Sequence, residues 1–288
     1  MSQVLNALLH KPCGNLSQLN ESPTSIILHV GSEERFRAPL LRPQVMTPGN
    51  TRARTGEQLA ADEIHLWEIA LDAPHAPSEP LRGLLSDTEL ERASGFHFLK
   101  HKHRWTTART ALRQILATYV NAPPKSLKFR TNEFGKPRLV APTDALQFNL
   151  THSRNLGLLA VATHAVGIDV EYVDRNVDSE ALAPHVFSDA ELELVVRCKS
   201  AHERQQLFFR LWTYKEAYIK GRGVGLSLPL KEFSISLKDD KHADVIVDRA
   251  WDDGQPWRLA TLSVKANYVA ALASARRVRG TYRFTWNA

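Results

Sequence analysis

Cysteine is nearly missing from this chain of 288 residues: Cys13 and Cys198 are the only two. Two isolated thiols build neither a disulfide framework nor a zinc site of ordinary spacing. Free thiols in a reducing compartment are therefore expected, and with them a cytoplasmic protein. Long apolar runs are missing too. No stretch approaches the ~18 consecutive apolar residues of a membrane span. The short apolar stretch in residues 1–10 lacks the basic flank of a secretory signal. Aromatic residues are scarce at the start: residues 1–60 hold only Phe36, alongside five prolines. Such a segment buries too little apolar surface to order itself. Residues 1–60 are expected to form a poorly ordered extension, with at most a short strand at 25–30. Glu33, Glu34 and Glu57 argue against reading it as an organelle transit peptide.

What is present is a mild excess of positive charge. Lysine and arginine outnumber the acids 37 to 31, for a net charge of +6 and a pI of about 9.4. A basic surface suits a polyanionic partner, whether nucleic acid, membrane, nucleotide or acidic protein. Charge alone does not choose among these, and a solvated basic surface without a partner fits equally.

Folded sequence begins near Glu63, where Ile64, Leu66, Glu68 and Ala70 alternate as in a strand. Ser86 followed by Glu89 is a capping box that opens a helix. A second helix is expected over 102–120, with Ala108, Ala111, Leu112, Ile115 and Leu116 at helical spacing and Pro123 and Pro124 beyond it. Short extended pieces follow at 127–130, 138–140, 148–151, 156–163 and 166–172, with a turn at 132–135. Ser188 and Glu191 form a second capping box. A long helix is expected over 201–220, ended by Gly221, Gly223 and Gly225. Strands return at 232–237, 245–247, 258–263, 269–273 and 281–285. Two runs of helices followed by strands point to an α+β fold.

Five local patterns carry candidate chemistry. In Gly167-Ile168-Asp169-Val170-Glu171, strand periodicity sends Asp169 and Glu171 to one face and Ile168 and Val170 to the other. Paired carboxylates repel unless a cation lies between them, and oxygen ligands suit Mg²⁺ or Mn²⁺. A strand end with two solvated acids is the plain alternative. In Trp212-Thr213-Tyr214-Lys215-Glu216-Ala217, Glu216 shares a helix face with Lys220. That is either an ordinary surface ion pair or a carboxylate for metal beside Lys215 and Lys220 for phosphate; Trp212 reads as core. Phe148-Asn149-Leu150-Thr151-His152-Ser153 offers a hydroxyl and an imidazole at a strand end, or a structural histidine, with no nucleophile elbow for a hydrolase. Asn132-Glu133-Phe134-Gly135-Lys136-Pro137 holds a lysine in a turn stiffened by proline. Arg92, His97, Lys100, His101, Lys102, His103 and Arg104 form a basic run, with Phe96 and Phe98 read as core.

Taken in order, these patterns and Gly225-Leu226-Ser227-Leu228-Pro229-Leu230 resemble the Sfp-type 4′-phosphopantetheinyl transferases over residues 86–237. The resemblance implies an α+β fold of two similar halves about a pseudo-twofold axis, each a three-stranded sheet with helices, with the active site in the cleft between them. The halves would be residues 61–164 and 165–288, the second carrying the metal-binding acids. It implies Asp169, Glu171 and Glu216 as ligands of Mg²⁺, with Mn²⁺ as a substitute. Lys136, Thr151, His152 and Lys220 would bind the phosphates of coenzyme A, with Arg92 and Arg104 at its adenosine end. Glu216, Lys220 and His152 would act in catalysis, with Glu216 as general base. The chain departs from the family pattern at Thr151, where serine is common, and at Glu89, where a basic residue can stand. The implied reaction moves phosphopantetheine from coenzyme A to a serine of an apo acyl or peptidyl carrier protein and releases 3′,5′-adenosine bisphosphate. No nucleic acid and no membrane enter this reading, and a monomer is expected. The rival readings are a metal-dependent nuclease or phosphodiesterase, for which clustered acids also serve, and a non-catalytic nucleic-acid-binding protein.

Overall fold

The computed structural model describes residues 59–72 and 83–287. The extension expected over residues 1–60 lies almost wholly outside the described residues, as does Cys13. In chain order the elements are β1 (Glu63–Ala70), α1 (Asp87–Ser94), α2 (Leu99–Val120), β2 (Lys128–Thr131), β3 (Pro137–Ala141), β4 (Gln147–Ser153), β5 (Leu156–Ala162), β6 (Val166–Tyr172), α3 (Ser179–Val186), α4 (Asp189–Val196), α5 (Ala201–Arg222), β7 (Phe233–Leu237), β8 (His242–Val247), β9 (Arg258–Leu262), β10 (Tyr268–Ser274) and β11 (Gly280–Trp286). The fold is α+β, in two compact units. One holds the described residues of 59–130, 137–164 and 278–287; the other holds Thr131–Lys136 and Ala165–Arg277.

The first unit is built on a four-stranded sheet in the order β11-β1-β5-β4. The apolar stripe of α2, Ala108, Ala111, Leu112, Ile115 and Leu116, is buried in one cluster with Trp67, Ile69, Leu159 and Val161. The residues of β1, a central strand, are buried on both faces rather than on alternate ones, so both faces of the sheet are covered along it. The last strand, β11, runs parallel to β1 in the register Glu63↔Gly280 to Ile69↔Trp286, and Trp286 Nε1 donates to Gln114 Oε1 at 2.8 Å. Residues 278–287 therefore join the first unit, not the C-terminal half in which sequence order would leave them. A parallel pair needs a long crossover, and the whole second unit supplies it.

Glu89 does more than close its capping box. Its carboxylate accepts from the Ser86 amide at 2.8 Å and also from the guanidinium groups of Arg109 and Arg113. Arg113, itself buried, donates further to the carbonyls of Pro124 and Leu127. Burial pushes the Glu89 carboxyl up, but Arg109, the Ser86 amide and Arg113 outweigh it and hold it below the usual range. The folded value thus lies below the unfolded one. The resulting stability is complete above the ordinary glutamate range and is lost as pH falls through the lowered value. Glu89→Gln should cost roughly 3 kcal/mol at neutral pH, and the gap to wild type should close in acid. Urea titrations of both proteins across pH test this, and a gap that ignores pH would refute it.

The second unit is a five-stranded antiparallel meander, β6-β10-β9-β8-β7, with α5 lying along β6 and β10. Its core gathers Phe187, Phe208, Phe209, Leu211, Trp212 and Tyr218 with sheet residues such as Phe233 and Leu259. Trp212 is fully buried, as its reading as core requires. The expectation of three strands per half does not hold: β11 extends one sheet, and the short-linked meander extends the other. Helix α3 was not legible because Pro184 lies inside it; the Asp178 cap on the Ala181 amide and the buried Leu182, Ala183 and Val186 sustain it. Gly221 does not end α5. The helix continues to Arg222, and Gly223, at φ 67°, closes it in the left-handed conformation. Phe98, read as core, is 67% exposed.

Candidate active site

The acids of β6 are not solvated. Asp169 is 1% exposed and Glu171 is fully buried, which removes the reading of a polar strand end. What brings α5 onto them is a glycine crossing. A Cβ on Gly167 would stand 1.9 Å from the carbonyl oxygen of Ala217 and 2.6 Å from the Cα of Gly221. Only two glycines let strand and helix backbones approach this closely. On the other side of Gly221 lies the ring of Trp257, edge-on to Tyr218 at 5.0 Å.

This crossing aims one stripe of α5 at the acids. Lys220 Nζ lies 2.5 Å from Asp169 Oδ1 and 3.3 Å from Glu216 Oε2. Glu216 is 2% exposed, so this is not a surface pair. Its carboxyl is pushed up to about 7 by burial, with Asp169 and Glu171 adding to the rise and Lys220 opposing it. The Lys220 ammonium is raised, because the acids around it outweigh its own burial. Glu216 Oε1 is buried with no hydrogen-bond partner. Three buried carboxyl groups thus stand within electrostatic reach of the Lys220 ammonium.

Among the described residues, no group of three or more His, Cys, Asp and Glu side chains is arranged so that it could hold a metal ion. The oxygen donors of Asp169, Glu171 and Glu216 are of the chemical type that a hard cation takes. Mg²⁺ takes one or two protein carboxylates and fills its other positions with substrate phosphate and water, and the unpartnered Glu216 oxygen is a ligand atom of the right kind.

Lys215, adjacent in sequence, goes elsewhere. It is fully buried and pairs with Glu191 at 2.7 Å. It also donates to the carbonyls of Leu230 and Phe233 at 2.8 and 2.7 Å. Burial pushes its ammonium down to about 8 despite Glu191. Glu191 in turn accepts from the Ser188 and Ile235 amides. Lys215 is therefore a structural group and not a phosphate ligand. Glu191→Ala should cost about 3–5 kcal/mol, since it strands a buried ammonium. A loss in urea unfolding no larger than a surface pair's ~1 kcal/mol would contradict that role.

The 132–137 turn is a clamp on the end of α5. Asn132 Oδ1 accepts from the amides of Phe134 and Lys136 at 3.1 and 2.8 Å, and Asn132 Nδ2 donates to the Gly223 carbonyl. Lys136 Nζ donates to Gly221 O at 2.7 Å and Val166 O at 3.3 Å, at the glycine crossing itself. Burial pushes Lys136 down to about 8. Sequence reading missed this clamp and the glycine crossing; the glycine opening a buried strand was the available signal.

The remaining residues stand in the first unit. Thr151 is buried and His152 exposed on β4, so strand alternation sends the hydroxyl and the imidazole to opposite faces. Arg92 is exposed and lies over the Trp105 ring at 5.7 Å. Arg104 makes a two-pronged pair with Asp72, both contacts at 2.6 Å, and holds that carboxyl below its usual range.

Comparison with known proteins bears on these residues. The profile of the 4′-phosphopantetheinyl transferase superfamily matches residues 165–273, the stretch that carries Asp169, Glu171, Glu216 and Lys220. The chain is 40% identical over 220 residues to 4′-phosphopantetheinyl transferase HetI of Nostoc sp. (strain PCC 7120), covering 75% of this chain and 90% of that one. It is 28% identical over 214 residues to 4′-phosphopantetheinyl transferase Sfp of Bacillus subtilis (strain 168), covering 74% and 92%. Among solved structures, holo-[acyl-carrier-protein] synthase of Thermotoga maritima matches at 22% identity and a TM-score of 0.31, over 38% of this chain and 61% of that one.

Proposed function

Since the chain belongs to the 4′-phosphopantetheinyl transferase superfamily, we propose that it moves the phosphopantetheine arm of coenzyme A onto a serine of an apo acyl or peptidyl carrier protein. The observation that carries this reading is the buried set of three carboxylates around Lys220, held at a glycine crossing within the residues that match the family profile.

In this reaction the serine oxygen bonds to the β-phosphorus of coenzyme A. The bond from that phosphorus to the bridging oxygen breaks, and 3′,5′-adenosine bisphosphate leaves with that oxygen. Asp169, Glu171 and Glu216 would hold Mg²⁺, or Mn²⁺ in its place. When bound, the ion would neutralise pyrophosphate charge as a Lewis acid. Lys220 supplies a fixed positive charge for the oxygens that gain negative charge. Glu216 takes the serine proton, directly or through a water. His152, Thr151, Lys136, Arg92 and Arg104 are proposed to bind coenzyme A. For Lys136 and Arg104 this requires sharing donors already given to carbonyls and to Asp72. We read the protein as a cytoplasmic monomer; among the described residues no helix is long and apolar enough to cross a membrane.

The test is incubation of the full chain with coenzyme A, Mg²⁺ and a panel of apo acyl and peptidyl carrier proteins, read by mass spectrometry of the intact carrier. A carrier heavier by one phosphopantetheine, with adenosine bisphosphate released in equal amount, is expected. Cleavage or retention of DNA with every carrier left unmodified would replace this reading by the nuclease or nucleic-acid-binding one.

A further inference from the structure

The surface at the start of α2 combines two features that soluble proteins ordinarily keep apart. Phe98 and Leu99 are neighbours in the chain and are 67% and 76% exposed. Exposed large apolar side chains that stand together mark interaction sites more often than single ones do. Around them stand His97, Lys100 and His101, all exposed, and the half-buried Lys102. Phe98 meets His101 edge-on at 5.5 Å.

The electrostatics are one-sided. The first turn of α2 holds no acid, and no side chain caps it, so its cations lie at the positive end of the helix dipole, where they are disfavoured. No aspartate or glutamate occurs anywhere in residues 92–132, which hold nine lysines and arginines. Arg109 and Arg113 from that stretch both pair with the single carboxylate of Glu89. Lys100, Lys125 and Lys128 are exposed; Asp72, which pairs with Arg104, also feels the charge of Lys100, and Lys102 adds a further cation beside it.

We infer that Phe98 and Leu99, with Lys100 and Lys102 beside them, form the docking surface for an acidic carrier protein: the two apolar side chains enter a shallow apolar depression, and the lysines meet carboxylates around it. The inference rests on the transferase reading, which requires a protein substrate to be held at the surface. Two further occupants share part of this chemistry. An anionic membrane would take up the apolar pair and the lysines, but interfacial binding scales with buried apolar area, and two side chains provide little. Nucleic acid would meet the lysines but leaves Leu99 without a function.

The experiment uses the full-length protein in two forms besides wild type. Phe98→Ser/Leu99→Ser removes the apolar pair, and Lys100→Glu/Lys102→Glu reverses the charge. All four positions lie outside the catalytic and coenzyme-binding groups. Transfer to the best carrier of the panel is measured at saturating coenzyme A. Each double substitution should raise the KM for the carrier at least about tenfold, with kcat and the KM for coenzyme A unchanged. The effect of the charge reversal should shrink as salt is raised, because exposed charges are screened over ~8 Å at physiological ionic strength. Circular dichroism of both variants should match wild type. A carrier KM unchanged in both variants, while wild type transfers normally, overturns the docking surface and leaves the transferase reading standing. If the substitutions instead abolish co-sedimentation with phosphatidylserine vesicles, or retention of duplex DNA, at unchanged carrier KM, the surface belongs to that partner and the inference fails. If wild type modifies no carrier in the panel, the transferase reading falls and takes this inference with it.

Discussion

Asp169→Ala should lower kcat for phosphopantetheine transfer by about 10³-fold or more while leaving the fold in place. The size follows from the role proposed for Asp169 as a metal ligand, since loss of a single preorganised electrostatic contact costs ~10²–10³ in kcat and a metal ligand would contribute beyond that. Preservation of the fold follows from the geometry. Asp169 stands opposite Ala271 in the backbone pairing of β6 with β10, so truncating its side chain leaves the strand pairing intact. Lys220 keeps Glu216 at 3.3 Å, and its side chain is 22% exposed and so reaches solvent. Asp169→Asn keeps the shape and removes the charge, and should lose nearly as much activity. Steady-state transfer assays at several Mg²⁺ concentrations, with melting curves beside them, decide the matter. Turnover near wild type at ordinary Mg²⁺ would remove Asp169 from the metal site.

Gly167→Ala should be the most damaging single methyl in the second unit. The new Cβ would stand 1.9 Å from Ala217 O and 2.2 Å from Gly221 N. Both are backbone atoms of a helix and cannot rotate away as a side chain would. Either α5 lifts from β6 or the strand bends, and both movements open the core around Trp257 and separate Glu216 and Lys220 from Asp169. The cost is expected to exceed the ~1–3 kcal/mol of ordinary overpacking and to reach roughly 4 kcal/mol, the range of exceptional substitutions. Transfer activity should fall with it, because the acids and Lys220 owe their spacing to this crossing. Urea unfolding and transfer rate measured on the same preparation test both halves of the statement. A variant that is as stable and as active as wild type would show that strand and helix do not pack this closely.

The two substitutions separate the chemistry of the site from its support. Asp169→Ala removes a charge from a framework that stays, whereas Gly167→Ala adds no charge and moves the framework. Lys215 and Glu191 belong with the support: Lys215 lies one position from Glu216 on α5, yet its pair with Glu191 of α4 is fully buried among backbone carbonyls and amides. A lysine inside a motif of chemical residues is therefore no guide to function until its direction on the helix is known.

What the sequence determined by itself is whatever depends on near neighbours in the chain. Both capping boxes form, at Ser86 with Glu89 and at Ser188 with Glu191, because their reciprocal hydrogen bonds join residues three apart. Asp169 with Glu171, and Glu216 with Lys220, are paired by the periods of strand and helix. The order of such motifs along the chain sufficed for the family. The tertiary structure decided what depends on distant segments. It buried Asp169 and Glu171 under α5, turned Lys215 towards Glu191 and Lys220 towards Asp169, and tied Lys136 to Gly221 and Val166. It also carried β11 across to β1 and left Phe98 in solvent. Propensity and periodicity give the direction of a side chain relative to its own element. Whether that direction meets water, a carbonyl or a carboxylate depends on which other element packs there, and that contact spans a separation in sequence that no local pattern encodes.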